Sequence, residues 1–353
     1  MTPLQFPVAA PPRPGETQPI APGVHWLRMP LPFALDHINL WLLEDGAGWT
    51  IVDTGYAMAR TQELWERIFA ERLGRWPVTR VIVTHYHPDH IGLADWLTQR
   101  WQAPLWVTEK EWLFARVMSH GAEDFAPMRR SFARRVGLDD AEAELFSERE
   151  NSYRRGVPSV PASFQRLADG MAIEIGGLEW RVVVGEGHAP ELACLYCAQT
   201  GVLIAGDQVL ARISPNISVQ AHEPDGDPLA RYLASLAKLR AAIPPETLVL
   251  PSHNLPFFGL HARIDSLAAH HRARCGEVVA ACGVPKSALD MVKVLFRRAL
   301  DRHQMGFALG EALAHLNFLM YEGALDRVLG EDGVDRFIRA DEPNDPINRT
   351  GEA

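Results

Sequence analysis

Residues 84–92 read Thr-His-Tyr-His-Pro-Asp-His-Ile-Gly, and this stretch decides the fold and the chemistry predicted for the chain. Four potential metal ligands, His85, His87, Asp89 and His90, fall within six residues. They follow a β-branched run that predicts a strand and precede an apolar periodicity that predicts a helix. Imidazole and carboxylate groups together suit Zn²⁺, Fe or Mn²⁺, so this short loop can face two metal ions at once.

Three more candidate ligands stand farther along the chain, each after an apolar run that predicts a strand: His188, Asp207 and His253. Ligands at like ends of several strands can converge on one edge of a sheet. A lone His-x-His is most often a surface turn, and these additional ligands argue against that interpretation. The sequence therefore predicts one metal site built from both groups of residues.

The order of predicted elements is typical of an α+β sandwich. β-rich segments alternate with helices across residues 21–258, in two similar halves. Sheets that bury one face on each other and the other face on helices give a four-layer αββα arrangement. Residues 109–155 are charged, helical in pattern and free of strand signals, and we interpret them as a helical insertion over the mouth of the site.

The two ends of the chain have patterns of their own. Residues 1–20 are rich in proline, which predicts a flexible arm before the catalytic domain. Residues 259–340 predict three helices and then a β-hairpin, the pattern of a small winged-helix-like domain. Residues 341–353 are interpreted as a tail.

Composition limits the classes of partner. The chain has 353 residues and a net charge of −9, which disfavours a general polyanion binder, because nucleic-acid affinity rests on Lys and Arg. Neither a signal peptide nor a membrane-spanning run is predicted, so a cytoplasmic location is expected. Cys194 and Cys197 form a C-x-x-C inside an apolar, strand-like segment, and we interpret them as core residues.

In order and spacing, the candidate ligands resemble those of the metallo-β-lactamase superfamily. The first four match its H-x-H-x-D-H motif, and the other three follow in Gly187-His-Ala-Pro190, Gly206-Asp-Gln208 and Pro251-Ser-His253. The resemblance covers roughly residues 24–260 and implies the sandwich fold. It further implies two divalent ions, expected to be Zn²⁺.

The resemblance also implies a role for each ligand. His85, His87 and His188 would hold the first ion, and Asp89, His90 and His253 the second, with Asp207 bridging the two. Asp53, in Val52-Asp-Thr-Gly55, matches an early aspartate that orients ligands from behind. More loosely, the C-terminal part resembles the winged-helix appendage of the glyoxalase II-like, β-lactamase-like protein 2 branch.

Two adjacent divalent ions can bridge a water molecule and lower its pKa toward ~7, and a metal then stabilises the oxyanion. Asp89 and Asp207 are the expected catalytic carboxylates. A metal-dependent hydrolase is therefore expected, with a carboxylic thioester or ester as the preferred substrate, of acyl-CoA, acyl-glutathione or lactone type. Apolar side chains of the insertion are candidates to line its channel, with ordinary helix packing as the alternative: Trp112, Phe114, Met118, Phe125, Met128 and Phe132.

Three questions stay open at this point. The first is a phosphodiesterase or endoribonuclease activity, which the winged helix favours and a count of 11 Lys and Arg against 10 Asp and Glu in residues 259–340 weakens. The second is whether Lys293, Arg297, Arg298 and Arg302 share a helix face that binds nucleic acid. The third is whether His261 and Arg263 bind a substrate carboxylate or phosphate at the pocket rim or only pack on the surface.

Among other functions, a non-catalytic metal-binding regulator is less favoured than a hydrolase. The expected partner is a small-molecule acyl compound, and no membrane partner is expected. Whether the chain forms a homodimer is left open.

Overall fold

The computed structural model describes residues 4–74, 76–120, 125–147 and 152–340. The chain divides into two compact units: the first takes residues 1–124, 150–215 and 231–268, and the second takes residues 125–149, 216–230 and 269–353. The second unit therefore includes the middle of the predicted insertion. The sequence pattern instead predicts that the whole insertion belongs to the domain that ends at residue 258. The predicted tail, residues 341–353, lies outside the described residues.

The first unit contains a seven-stranded sheet whose strands are neighbours in chain order. Its strands are β1 (Thr17–Ala21), β2 (Val24–Pro30), β3 (His37–Glu44), β4 (Trp49–Val52), β5 (Val78–Ile82), β6 (Leu105–Thr108) and β7 (Gln165–Leu167). Pairing is antiparallel from β1 to β4 and parallel from β4 to β7. The parallel half brings the carboxyl ends of β4 and β5 side by side.

Strand β1 corrects the expected flexible arm. Thr17–Ala21 pairs antiparallel with β2, and Gln5 forms an isolated bridge with Phe258. Proline does not prevent this, because β1 is an edge strand and the missing N–H of Pro19 can fall on the unpaired side. The arm is therefore part of the first sheet along at least some of its length.

A five-stranded sheet completes the sandwich, in the order β12-β11-β10-β9-β8. Its strands are β8 (Ala172–Ile175), β9 (Leu178–Gly185), β10 (Leu192–Cys197), β11 (Val202–Gly206) and β12 (Leu248–Pro251). Strands β11 and β12 are parallel. Trp26 and Trp41 of the first sheet share one core with Trp180 and Leu195 of the second, so the two sheets pack face to face.

Helices surround this sandwich, which confirms the predicted α+β fold class. Those wholly or largely in the first unit are α1 (Ala59–Glu71), α2 (Pro88–Ile91), α3 (Ala94–Trp101), α4 (Glu109–His120), α7 (Ser152–Gly156) and α8 (Pro228–Ala242). The apolar spacing in α1 buries Leu64, Trp65, Ile68 and Phe69 toward the sheet. The thiols of Cys194 and Cys197 are buried on β10, as the apolar context predicts.

The second unit has its own apolar core. It contains α5 (Ala126–Arg135), α6 (Asp140–Ser147), α10 (Ala288–Leu295), α11 (Arg302–Tyr321), β13 (Leu325–Leu329), β14 (Asp335–Arg339) and the later part of α9 (Leu260–Ala281). Ser287 and Asp301 form capping boxes at the starts of α10 and α11. The order of three helices and then a hairpin is the one predicted, and its description as a winged helix stays a prediction.

One detail of the predicted basic face is wrong. Helix α10 ends at Leu295, and α11 begins at Arg302. Arg297 and Arg298 therefore lie in the segment between two helices and cannot share one helix face with Lys293. No described helix is long and apolar enough to cross a membrane.

Candidate metal centre

The seven predicted ligands follow strand ends on the two sheets. His85, His87, Asp89 and His90 come after β5, either in the loop or in the short helix α2. His188 comes after β9, Asp207 immediately after β11, and His253 after β12. Because β11 and β12 are parallel and the sheets pack face to face, these ends lie at one edge of the sandwich.

Ligand atoms from these loops converge into three overlapping groups, each with its atoms within 4.8 Å of one another. The groups are His85, His87 and His188; His85, His90 and Asp207; and Asp89, His90 and His253. The first and third are the two ion-binding trios that the family resemblance implies, defined here as trio one and trio two. The structure thus brings all seven residues together.

The bridging position expected for Asp207 agrees with its distances to both trios. Its Oδ2 lies 3.3 Å from His188 Nε2 in trio one and 3.7 Å from His90 Nε2 in trio two. Its Oδ1 lies 3.4 Å from His253 Nε2. Gly206, just before it, has a φ of 54°, a left-handed conformation that glycine adopts without steric cost and that turns the chain at the strand end.

Asp53 supports His90 from behind. Its Oδ2 lies 2.8 Å from His90 Nδ1 and accepts a hydrogen bond from the Thr84 hydroxyl at 2.9 Å, and its Oδ1 accepts from Thr84 N at 2.8 Å. This contact leaves His90 Nε2 to face the other ligands. Asp53 itself has a φ of 61°, a strained conformation for a residue with a side chain and one that is concentrated at functional sites.

His253 is oriented in a similar way, by a residue that the sequence reasoning did not select. Its Nδ1 lies 2.8 Å from the carbonyl oxygen of His37, and its Nε2 lies 3.5 Å from Asp89 Oδ2. The His37 ring also contacts the segment that carries His253, since its Nε2 accepts a hydrogen bond from Asn254 N at 3.0 Å. A carbonyl contact leaves no side-chain motif, so only the folded chain reveals it.

Burial and charge act differently on the two trios. Burial, reinforced by the neighbouring imidazoles, holds the pKa of His85 and of His87 well below the usual histidine value. Burial also opposes charge on His90, but Asp53, Asp89 and Asp207 outweigh it and raise the pKa of His90. Although burial disfavours its charged form, the nearby His253 and His90 hold the pKa of Asp207 well below its usual range.

These residues fit divalent cations. Within the described part of the chain, the buried atoms His90 Nε2 and Asp207 Oδ1 have no hydrogen-bond partner. His85 Nε2 lies 2.9 Å from His87 Nδ1, which lies 3.1 Å from His188 Nε2. Three ring nitrogens this close direct lone pairs at one another unless protons or cations lie between them. Imidazole with carboxylate is a donor set suited to Zn²⁺, Fe or Mn²⁺.

The expected rim residues have other partners. Arg263 donates to the carbonyl oxygens of Leu210 and Ile213 at 2.5 and 2.7 Å, and His261 Nε2 lies 2.8 Å from the carbonyl oxygen of Ile243. Both side chains therefore hold main-chain segments in place, and their role at the pocket rim stays a prediction. The Arg263 contacts hold the loop that follows Asp207.

Of the apolar side chains expected to line a channel, Phe114 packs against Tyr86, the residue between two predicted ligands. Its ring centroid is 5.6 Å from that of Tyr86, which is 4.6 Å from that of His87. Phe132, in contrast, is buried in the core of the second unit, because α5 belongs to that unit. The helical pattern alone could not separate these two environments.

Comparisons with known proteins agree with this geometry. Residues 34–253 match the metallo-beta-lactamase superfamily, and residues 275–340 match the family described as metallo-beta-lactamase-like, C-terminal domain. A solved β-lactamase domain protein from Burkholderia ambifaria is 49% identical, with a TM-score of 0.86 over 96% of this chain and 97% of that chain. The probable metallo-hydrolase YqjP of Bacillus subtilis is 25% identical over 85% of this chain and 92% of its own length.

Two more distant relatives have named activities, and these differ. A linear primary-alkylsulfatase from Pseudomonas is 24% identical over 62% of this chain and 42% of its own length. A hydroxyacylglutathione hydrolase from Pseudomonas paraeruginosa is 26% identical over 61% of this chain and 60% of its own length. The family matches, the overall structural likeness and the converging ligands lead to one assignment: the chain belongs to the metallo-β-lactamase superfamily.

Proposed function

We propose that this metal-dependent hydrolase cleaves a carboxylic thioester or ester, with two divalent cations, Zn²⁺ by preference, held by trio one, trio two and Asp207. The observation that carries the proposal is the overlap of the ligand groups, in which His85 and His90 each belong to two of them. Bound there, the cations would supply an activated water and stabilise negative charge on the substrate oxygen.

The chain's own residues have separate tasks in this proposal. Asp89 keeps 19% of its side chain exposed, so a substrate can approach it from solvent, whereas His90 is fully buried. Asp89 Oδ2 can accept a proton from the attacking water and return it to the leaving group. Asp207, in contact with both trios, maintains their spacing.

Aromatic side chains beside the ligands favour an acyl group as the substrate's apolar part. Tyr86 lies next to His87, Phe114 lies next to Tyr86, and Phe33 packs edge-to-face on Tyr56 with ring centroids 5.4 Å apart. Phe33 is 45% exposed. One relative of this chain is a hydroxyacylglutathione hydrolase, an activity that is compatible with a thioester substrate.

The nuclease alternative finds less support in the charges. The second unit has a groove lined by Arg130, Arg134, Arg135 and Arg327. Each of these arginines is paired with a carboxylate, of Glu144, Asp140, Asp225 or Asp335. Compensated arginines attract phosphates weakly, so a steep salt dependence is not expected. A cytoplasmic location and a homodimer stay predictions.

Acyl-chain length is the first test of the substrate proposal. For a series of acyl thioesters, we expect kcat/KM to rise about fourfold for each added CH₂ that is buried, since each is worth ~0.8 kcal/mol. Replacing Phe114 by Ala should lower kcat/KM roughly tenfold for long acyl chains and little for acetyl, because it removes part of the apolar wall. The matched control is Leu113→Ala on the same helix, where the side chain is 46% exposed.

Nuclease activity, the competing function, is measured in parallel, with RNA and single-stranded DNA as substrates at several salt concentrations. Replacing Lys293, Arg297, Arg298 and Arg302 together by Gln should leave thioester hydrolysis within a few-fold of the unchanged protein. Efficient RNA cleavage that weakens steeply with salt and collapses in this variant would replace the thioesterase proposal with a nuclease.

A further inference from the structure

We propose that Glu111 is a positioning residue that fixes the spacing between the two loops that carry trio one. The proposal rests on the proposed function, because it takes trio one to hold a cation. Glu111 lies in the first turn of α4 and is fully buried, outside the ligand set. Sequence periodicity gave no reason to select it.

The two oxygens of this carboxylate join the two loops. Oε2 accepts a hydrogen bond from Tyr86 N at 2.8 Å, and Oε1 accepts from Glu191 N at 2.6 Å. Tyr86 lies between the ligands His85 and His87, and Glu191 is three residues after His188. One rigid carboxylate therefore sets the distance between the loop that carries two ligands of trio one and the loop that carries the third.

Tyr86 and Glu191, whose N–H groups donate to Glu111, are each also held at the carbonyl group. The Tyr153 hydroxyl donates to the Tyr86 carbonyl oxygen at 2.6 Å, and the Thr108 hydroxyl donates to the Glu191 carbonyl oxygen at 2.9 Å. Side chains thus hold the N–H and the C=O of both residues. Such support lets a ligand set keep its geometry within the fraction of an ångström that a metal site requires.

A carboxylate suits this position better than an amide. Burying a charged group is costly unless hydrogen bonds compensate, and both Glu111 oxygens accept main-chain N–H groups. Glutamine at this position would keep one acceptor and present an NH₂ group to the other N–H donor. The loop facing that NH₂ group would shift, whereas trio two, supported through Asp53, would keep its geometry.

The experiment titrates metal-free protein with Co²⁺ alone and follows the visible absorption of bound Co²⁺ together with chelator competition. In Glu111→Gln we expect the affinity for one Co²⁺ per chain to fall about 10–100-fold while the affinity for the other stays unchanged. Tyr153→Phe, which releases only the Tyr86 carbonyl, should weaken the same Co²⁺ by a smaller factor. The matched control is Glu109→Gln in the same helical turn, where the carboxylate is exposed and paired with Arg166.

The outcomes separate this proposal from the proposed function. Unchanged Co²⁺ binding in Glu111→Gln and Tyr153→Phe, or an equal loss at both sites, would overturn the positioning role. If Glu111→Gln does not fold, the site-selective loss in Tyr153→Phe decides. Normal Co²⁺ binding without thioester hydrolysis by the unchanged protein would overturn the substrate while leaving the Glu111 result intact. Failure of the unchanged protein to bind Co²⁺ would overturn both.

Discussion

Replacing Asp207 by Ala is expected to reduce hydrolysis by roughly a thousandfold and to remove one or both cations, the largest effect of any single ligand change. The reason is its position, since its two oxygens lie within 3.3–3.7 Å of His188, His90 and His253. Removing it leaves the imidazoles of both trios without the shared carboxylate. Steady-state kinetics and elemental analysis of the same preparation measure the two losses.

The matched control for Asp207 is a carboxylate on the protein surface. Asp169 pairs with Lys238 and keeps 52% of its side chain exposed, so Asp169→Ala should leave both activity and cation content unchanged. If Asp207→Ala retained more than about a tenth of the activity, a bridging role would be untenable, and a change of any trio histidine would then be expected to cost as much.

Replacing Asp53 by Asn is expected to lower the affinity for the cation of trio two about 10–100-fold, although Asp53 is not itself a ligand. The carboxylate accepts the Nδ1 proton of His90, which leaves the lone pair of Nε2 facing the site. An amide nitrogen facing Nδ1 favours the other tautomer, in which the proton on Nε2 blocks that lone pair. Chelator competition against Zn²⁺ measures the loss.

Asp45→Asn is a closely matched control for this change. Asp45 lies near the opposite end of β4, and its carboxylate accepts hydrogen bonds from the Thr50 and Thr79 hydroxyls at 2.9 and 2.7 Å. The change therefore disturbs a similar network without touching a ligand. Equal Zn²⁺ affinity in Asp53→Asn and Asp45→Asn would show that the contact with His90 does not control its tautomer.

The effects of Asp53→Asn and Glu111→Gln should also be complementary. The first acts through His90 on trio two, and the second through Tyr86 and Glu191 on trio one. Two selective losses at different sites would indicate that each cation has its own supporting residue.

Sequence patterns predicted the ligand convergence because each ligand is tied to a local signal. The H-x-H-x-D-H stretch is contiguous, and His188, Asp207 and His253 each follow an apolar strand. The three strands run in the same direction, so their ends lie at one edge of the second sheet. Short-range patterns therefore carry nearly all the information that the ligand set requires.

Contacts between distant segments were not predictable in this way. Glu111 sits in an ordinary charged helix, and only the fold places it against residues 25 and 80 positions away. The carbonyl oxygen of His37, which orients His253, belongs to the main chain, so no residue type marks it in the sequence. Strand β1 was missed because proline-rich sequence resembles a linker unless a neighbouring strand offers it an edge.

The predicted assignment of residues 109–155 to a single domain failed for a similar reason. Helices α4 and α5 have comparable helical patterns, yet α4 belongs to the first unit and α5 to the second. Phe114 and Phe132 illustrate the difference, since one lies beside Tyr86 and the other is in the core of the second unit. Amphipathicity shows that a helix has an apolar face but does not identify what that face packs against.

The most direct test of the account is elemental analysis of purified protein before and after treatment with a chelator, with hydrolysis measured on the same samples. Because the three ligand groups overlap through shared residues, the account predicts about two divalent cations per chain, lost together with activity and restored by Zn²⁺, Fe²⁺ or Mn²⁺. Full hydrolytic activity in protein shown to contain no bound metal, or no cation bound after expression with added metal, would contradict it.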